Sequence, residues 1–156
     1  MHWYWIEPDR LAGGSCPGPD DWPGLQDQGF ERILSLLEDP RQAAYDPAEA
    51  KARFEWFCVP MTDHRTPDLA QLLEVHELLR AHPSRPALVH CYAGIGRTGL
   101  VALSHLMAKG LPEAEATRQV DAWTGDAFSR EIRFRREEVR LLLRDFLARW
   151  PSTPKA

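Results

Sequence analysis

Apolar residues along this chain come in short runs, set apart by connections rich in Pro, Gly and Asp, and the runs alternate between two kinds. Residues 3–6 read as a first strand and 11–14 as a short extended piece, followed by a surface loop to 24. A short helix over 21–29 leads into Arg32-Ile33-Leu34-Ser35-Leu36-Leu37, a buried-strand pattern. Residues 47–53 open with Pro and continue with an Ala-rich body, which predicts a short helix. Bulky residues alternate over 54–59 as in a strand and stop at Pro60. Asp68 is placed to cap a helix running to about 81, with Leu69, Leu72, Leu73, His76 and Leu79 on one face. A short apolar strand over 86–89 and a core-like helix over 100–107 come next. Further helices are predicted over 111–123 and 130–150, where Pro151 marks a stop. Strands interleaved with helices imply an α/β fold, a central and mostly parallel sheet flanked by helices. Its chemistry belongs beyond the carboxyl ends of the strands.

Composition narrows the class. At 156 residues and 44% hydrophobic, the chain suits one core, so a single domain over 1–150 with a tail over 151–156 is expected. The net charge of −4 gives no reason to expect nucleic acid as a partner. No stretch approaches the roughly 18 uninterrupted apolar residues of a membrane span. The aromatic start is too short, and lacks the basic residues, for a secretory signal. Cys16, Cys58 and Cys91 are an odd, scattered set rather than a disulfide framework. They fit a reducing, cytoplasmic location. Oligomeric state is not legible in such a pattern.

The chemistry concentrates in Val89-His90-Cys91-Tyr92-Ala93-Gly94-Ile95-Gly96-Arg97-Thr98-Gly99, between the 86–89 strand and the 100–107 helix. A tight glycine-rich turn there gathers backbone N–H groups around one point and aims a helix N-terminus at it, an arrangement that attracts an anion. Arg97 adds a planar fork able to hold two oxygens of a phosphate. Cys91 lies at the mouth of this positive cradle, where a thiolate is favoured over a thiol. The run therefore holds a phosphate with a nucleophile in line with its phosphorus.

This run resembles the His-Cys-x5-Arg-Ser/Thr signature of the cysteine-dependent dual-specificity protein phosphatases, with His90, Cys91, Arg97 and Thr98 at its fixed positions. The opening, Trp5-Ile6-Glu7-Pro8-Asp9-Arg10-Leu11-Ala12-Gly13-Gly14, also resembles the start of small members, which extends the likeness over nearly the whole chain. The resemblance implies a tyrosine-phosphatase-like fold and hydrolysis of phosphomonoesters through a phosphocysteine, with no cofactor and no metal. The histidines show no metal-ligand spacing either. Cys91 would be the nucleophile, Tyr92 to Arg97 the phosphate-binding loop, and Thr98 a hydroxyl donor to the Cys91 sulfur. His90 would point away from the phosphate and brace the loop. Tyr92 and Ile95 would line the pocket wall.

A phosphocysteine mechanism also needs an acid for the departing oxygen, later a base for water. Val59-Pro60-Met61-Thr62-Asp63-His64-Arg65-Thr66-Pro67-Asp68 follows a strand and offers two carboxylates. Asp63, four residues before Pro67, matches the acid loop of the cyclin-dependent-kinase-associated phosphatase and phosphoinositide 3-phosphatase subgroup. Asp68 reads as a helix cap. The 3-phosphatases carry two lysines within the signature where this chain has Tyr92 and Ile95, which argues against a highly phosphorylated lipid. Family members also place a Gln near the start of the last helix to orient water, and none occurs over 129–138.

The expected substrate is a phosphorylated protein or a small phosphomonoester. No inserted segment deepens the pocket, which favours dual specificity over tyrosine alone. The alternatives are a phospholipid or RNA-end phosphatase using the same loop, or a catalytically weak phosphate-binding module. A sulfur-transfer enzyme fits the Arg-Thr ending less well. Cys58 is either an inert core residue or a disulfide partner for oxidised Cys91. His64, beside Asp63, is placed to tune the acid or gate its loop.

Overall fold

The structure, a computed structural model, describes residues 1–151, so the expected tail lies outside the described residues except for Pro151. Five strands form one sheet in the order β1-β2-β5-β3-β4. They are β1 (Trp3–Glu7), β2 (Leu11–Gly14), β3 (Arg32–Ser35), β4 (Glu55–Cys58) and β5 (Ala87–His90). The β1–β2 pair is antiparallel, and β2–β5, β5–β3 and β3–β4 are parallel. The expected mostly parallel α/β sheet is what forms.

The three inner strands, β2, β3 and β5, are buried at every position. This is the near-continuous apolar pattern of parallel strands covered on both faces. Alternate side chains serve opposite layers. Ile33 and Leu88 join Trp22, Leu25, Tyr45 and Phe54 under α1 (Trp22–Asp27) and α2 (Pro47–Arg53). Leu34 and Val89 join the larger core under α3 (Leu69–Ala81), α4 (Gly96–Ala108), α5 (Glu113–Thr124), α6 (Ala127–Glu131) and α7 (Arg136–Arg149). The aromatic start packs the edge strand as expected, with Trp3 and Trp5 ring centroids 5.4 and 5.1 Å from that of Phe30.

Helix α4 starts at Gly96, four residues before the expected 100–107, so the end of the signature is already helical, and two further elements differ from the sequence reading. Strand β3 ends at Ser35, although the apolar run continues to Leu37. Leu36 and Leu37 stay buried beyond the ladder, and the Leu36 N–H donates to the His90 carbonyl at 2.8 Å. The helix expected over 130–150 is instead α6, a 3-10 turn over Arg133–Arg135, and α7. Ile132 (ψ 3°) and Arg135 (ψ 12°) leave helical geometry there and break the i→i−4 ladder. Phe128, Ile132, Val139, Leu142, Leu143 and Phe146 are all buried, so the apolar period runs straight through the break and hides it.

All four parallel strands end on the same edge, at Gly14, Ser35, Cys58 and His90. The connections that leave this edge, with the first turn of α4, carry every candidate catalytic residue.

Candidate active site

Cys91 follows the last residue of β5 and is only 2% exposed. The turn to α4 curls back over its sulfur, and the Gly94 N–H donates to Sγ at 3.3 Å. Gly94 has φ +76°, and a Cβ on it would lie 2.5 Å from the Ser15 nitrogen, so this turn admits no side chain. The Gly94 carbonyl accepts from the Tyr4 hydroxyl at 3.2 Å, and the Tyr92 carbonyl from the Cys16 N–H at 3.0 Å. The loop is thereby pinned to the β1–β2 edge. Helix α4 starts at Gly96 with no side-chain cap, leaving its first amides directed at the cradle.

Arg97 is buried in the first turn of α4. Its Nη1 donates to the Met61 carbonyl at 3.2 Å and the Leu36 carbonyl at 3.5 Å, which ties it to the connections after β4 and β3. Its Nη2 lies 3.4 Å from Asp63 Oδ1. Its Nε is buried with no hydrogen-bond partner. A buried guanidinium N–H without a partner is costly, and an anion in the cradle would satisfy it.

His90 points away from the cradle, as expected. It is fully buried, and burial lowers its pKa to about 4, so the ring is neutral. Nδ1 donates to the Cys91 carbonyl at 3.0 Å, which leaves Nε2 to accept from the Tyr45 hydroxyl at 2.6 Å. The Tyr45 oxygen in turn accepts from Trp56 Nε1 at 3.0 Å, and burial pushes its own pKa up to about 12. Tyr45 and Trp56 were missed in the sequence, where nothing near them marks a link to residues 90 and 91.

The remaining expected residues divide. Asp63 stands beside Arg97, half exposed, while Asp68 caps α3 by accepting from the Gln71 N–H at 2.8 Å. Tyr92, Ala93, Ile95 and Gly96 line an open cleft of about 440 Å³ with Asp63, Cys91 and Arg97. The Thr98 hydroxyl lies 3.5 Å from the Gly14 carbonyl, so the expected contact to the Cys91 sulfur is made by Gly94 instead. Cys58 Sγ donates weakly to the Leu37 carbonyl at 3.7 Å, and burial raises its pKa. All three cysteines are free.

Residues of α6 that the sequence reading did not single out, Ala127, Arg130 and Glu131, also line the cleft. Glu131, at the end of α6, meets His64, with Oε1 2.8 Å from Nδ1. Asp63, His64 and Glu131 place one ligand atom each within 4.8 Å of one another, a constellation that chain spacing could not show. A second cavity of about 310 Å³ opens at the other ends of the strands, beside Leu11, Ala87, His76 and Trp150, and no cysteine lines it.

A family model described as "Polymorphic toxin system, DSP-PTPase phosphatase" matches residues 10–111, which span the signature and the acid loop. The chain belongs to this DSP-PTPase phosphatase family. The expected cysteine-dependent protein phosphatase of dual-specificity type is thus what the comparisons support. A curated relative, the phosphatidylinositol 3,4,5-trisphosphate 3-phosphatase and protein-tyrosine-phosphatase PTEN1 of Arabidopsis thaliana, is 37% identical over 79 residues. That match takes in 48% of this chain but spans only 19% of the relative's length. Among solved structures, the active form of Tk-PTP superposes with a TM-score of 0.79 at 25% identity, covering 95% of this chain and 97% of the other. TpbA of P. aeruginosa, in complex with pTyr, gives a TM-score of 0.72 at 23% identity over 96% and 92% of the two chains, a likeness of fold. No helix among the described residues is long and apolar enough to cross a membrane.

Proposed function

We propose that residues 1–150 form one phosphatase domain that hydrolyses phosphotyrosine and phosphoserine or phosphothreonine through a phosphocysteine intermediate. The observation that carries this reading is the convergence of Cys91 Sγ, the uncapped start of α4 and the unpartnered Nε of buried Arg97. In the first step the Cys91 thiolate attacks phosphorus. The S–P bond forms, the P–O bond to the substrate breaks, and Asp63 gives its proton to the departing oxygen. Arg97 and the loop amides hold the equatorial oxygens, whose charge grows in the transition state. In the second step Asp63, now a carboxylate, takes a proton from water as that water attacks phosphorus. The S–P bond breaks, inorganic phosphate leaves, and the thiolate is restored.

The Arg97–Asp63 distance of 3.4 Å supports the assignment of the acid, because the group that binds the phosphate and the group that protonates its leaving oxygen must adjoin. Phosphorylated proteins or small phosphomonoesters are the proposed substrates, and the cytoplasm the proposed setting. The family description further supports a place for this activity in a polymorphic toxin system. The Arabidopsis relative supports the 3-phosphatase subgroup. A multiply phosphorylated lipid is disfavoured, since exposed Tyr92 and half-buried Ile95 bring no cation to the loop.

Hydrolysis of an aryl phosphate without added metal tests the reading. Cys91→Ser abolishes turnover, and Asp63→Ala lowers kcat roughly 100-fold. A wild-type protein that binds tungstate but releases no phosphate would instead be a binding module.

A further inference from the structure

The carboxylate proposed to move the proton sits on a connection with little packing of its own, since the Asp63 side chain is 54% exposed and that of His64 is 74% exposed. What holds this loop over the cradle comes from the far end of the chain. His64 adopts φ +58°, a left-handed conformation that His, like Asn and Asp, enters more readily than most residues with a side chain. In that conformation its ring bridges two carboxylates. Nε2 lies 3.4 Å from Asp63 Oδ2 and Nδ1 lies 2.8 Å from Glu131 Oε1.

Glu131 is itself fixed. Its Oε1 also accepts from Arg135 Nη2 at 3.3 Å, and its side chain passes so close over Gly96 that a Cβ there would lie 2.9 Å from Glu131 Cγ. Arg135 Nη1 donates to Thr66 Oγ1 at 3.3 Å, and Thr66 Oγ1 donates to Glu138 Oε2 at 3.1 Å. The bend between α6 and α7 therefore grips the acid loop at two points, His64 and Thr66.

We propose that His64 and Glu131 form a latch that holds Asp63 beside Arg97, so that both act as positioning residues for proton delivery to the leaving oxygen. The inference rests on the phosphatase reading above. An exposed imidazole between two carboxylates at the surface gains little net free energy from each. Such a contact biases the loop towards the closed arrangement while still letting substrate enter and phosphate leave. Its signature is selective, because an acid matters most where the departing oxygen is basic and little where it is a good leaving group.

The test compares kcat/KM for phenyl phosphate and for dinitrophenyl phosphate, since kcat/KM reports steps up to the first irreversible one and so isolates the transfer to Cys91. His64→Gly accepts the left-handed backbone without strain while removing the ring, and Glu131→Gln keeps the shape without the charge. Each is expected to lower kcat/KM for phenyl phosphate roughly tenfold, and by about five times more than for dinitrophenyl phosphate. The double variant is expected to be no worse than either single one, because the two act as a unit. His64→Asn, which tolerates the same backbone and keeps a donor, is expected to recover part of the loss. Equal losses on both substrates, no loss on either, or additive losses in the double variant would overturn the latch while leaving the phosphatase reading intact. Absence of Cys91-dependent turnover of dinitrophenyl phosphate by the wild type would overturn the reading and the latch together.

Discussion

A neutral imidazole directly before the nucleophile has one acceptor nitrogen and one donor, and each needs a partner once both are buried. His90 spends its donor on the Cys91 carbonyl and its acceptor on Tyr45, whose oxygen is fixed by Trp56. The orientation of the nucleophile's own peptide group thus depends on a phenol 45 residues away. Tyr45→Phe leaves both His90 Nε2 and the Trp56 N–H without their partner, at a cost of about 1–3 kcal/mol. Urea denaturation measures that loss, and an unchanged midpoint would show the relay to be idle. The meeting of Cys91, Gly94 and Arg97 in one cradle was legible in the sequence because a turn of a few residues builds it. Tyr45, Trp56 and Glu131 were not, because their importance comes from partners that only the sheet and the α6–α7 bend bring near. Thr98 shows the limit of a signature. Its place was right, but its hydroxyl faces Gly14 rather than the sulfur.

At the scale of elements, what the apolar pattern records is burial, and it locates an element wherever burial and hydrogen bonding end together. Strand β5 was clear for that reason, as was α3, where Asp68 and Gln71 form a reciprocal cap. Strand β3 was read two residues too long because Leu36 and Leu37 stay buried after the ladder stops. The last helix was read as continuous because its buried positions keep one period across Ile132. That second miss bears on function. The search for a glutamine over 129–138 had the right stretch of chain, but a straight helix gives no reason to look at Glu131. The structure supplies it, because Glu131, the last residue of α6, lines the cleft and meets His64.

Across the whole molecule, the parallel sheet ends four strands at one edge, so the Leu36 and Met61 carbonyls meet Arg97 while Gly14 meets Thr98 and the signature loop. The sheet and the helices that cover it hold three histidines whose pKa values burial lowers: His90 to about 4, His76 to about 3, and His105 in the same direction despite Glu7 at 3.0 Å. His76 donates from Nε2 to the Ser104 hydroxyl, which in turn donates to the Val101 carbonyl, so the neutral ring is satisfied without charge. In the unfolded chain these rings take up protons as pH falls through about 6.5, whereas His90 and His76 resist until about 4 and about 3. The unfolded state therefore binds more protons between those limits, and stability present above pH 6.5 is lost as pH falls. His90 and His76 alone give a loss on the order of 3 kcal/mol between pH 7 and pH 5. Denaturant midpoints at the two values measure it, and equal midpoints would mean that these histidines carry charge in the folded protein.

The central claim is that phosphate passes through Cys91, and trapping the intermediate tests it most directly. Wild-type protein mixed with a phosphotyrosine peptide is quenched in acid within one turnover, digested and examined by mass spectrometry. The account predicts one added phosphoryl group on the peptide that carries Cys91, and none in Cys91→Ser. A phosphoryl group on any other residue, or phosphate release by Cys91→Ser at the wild-type rate, would contradict it.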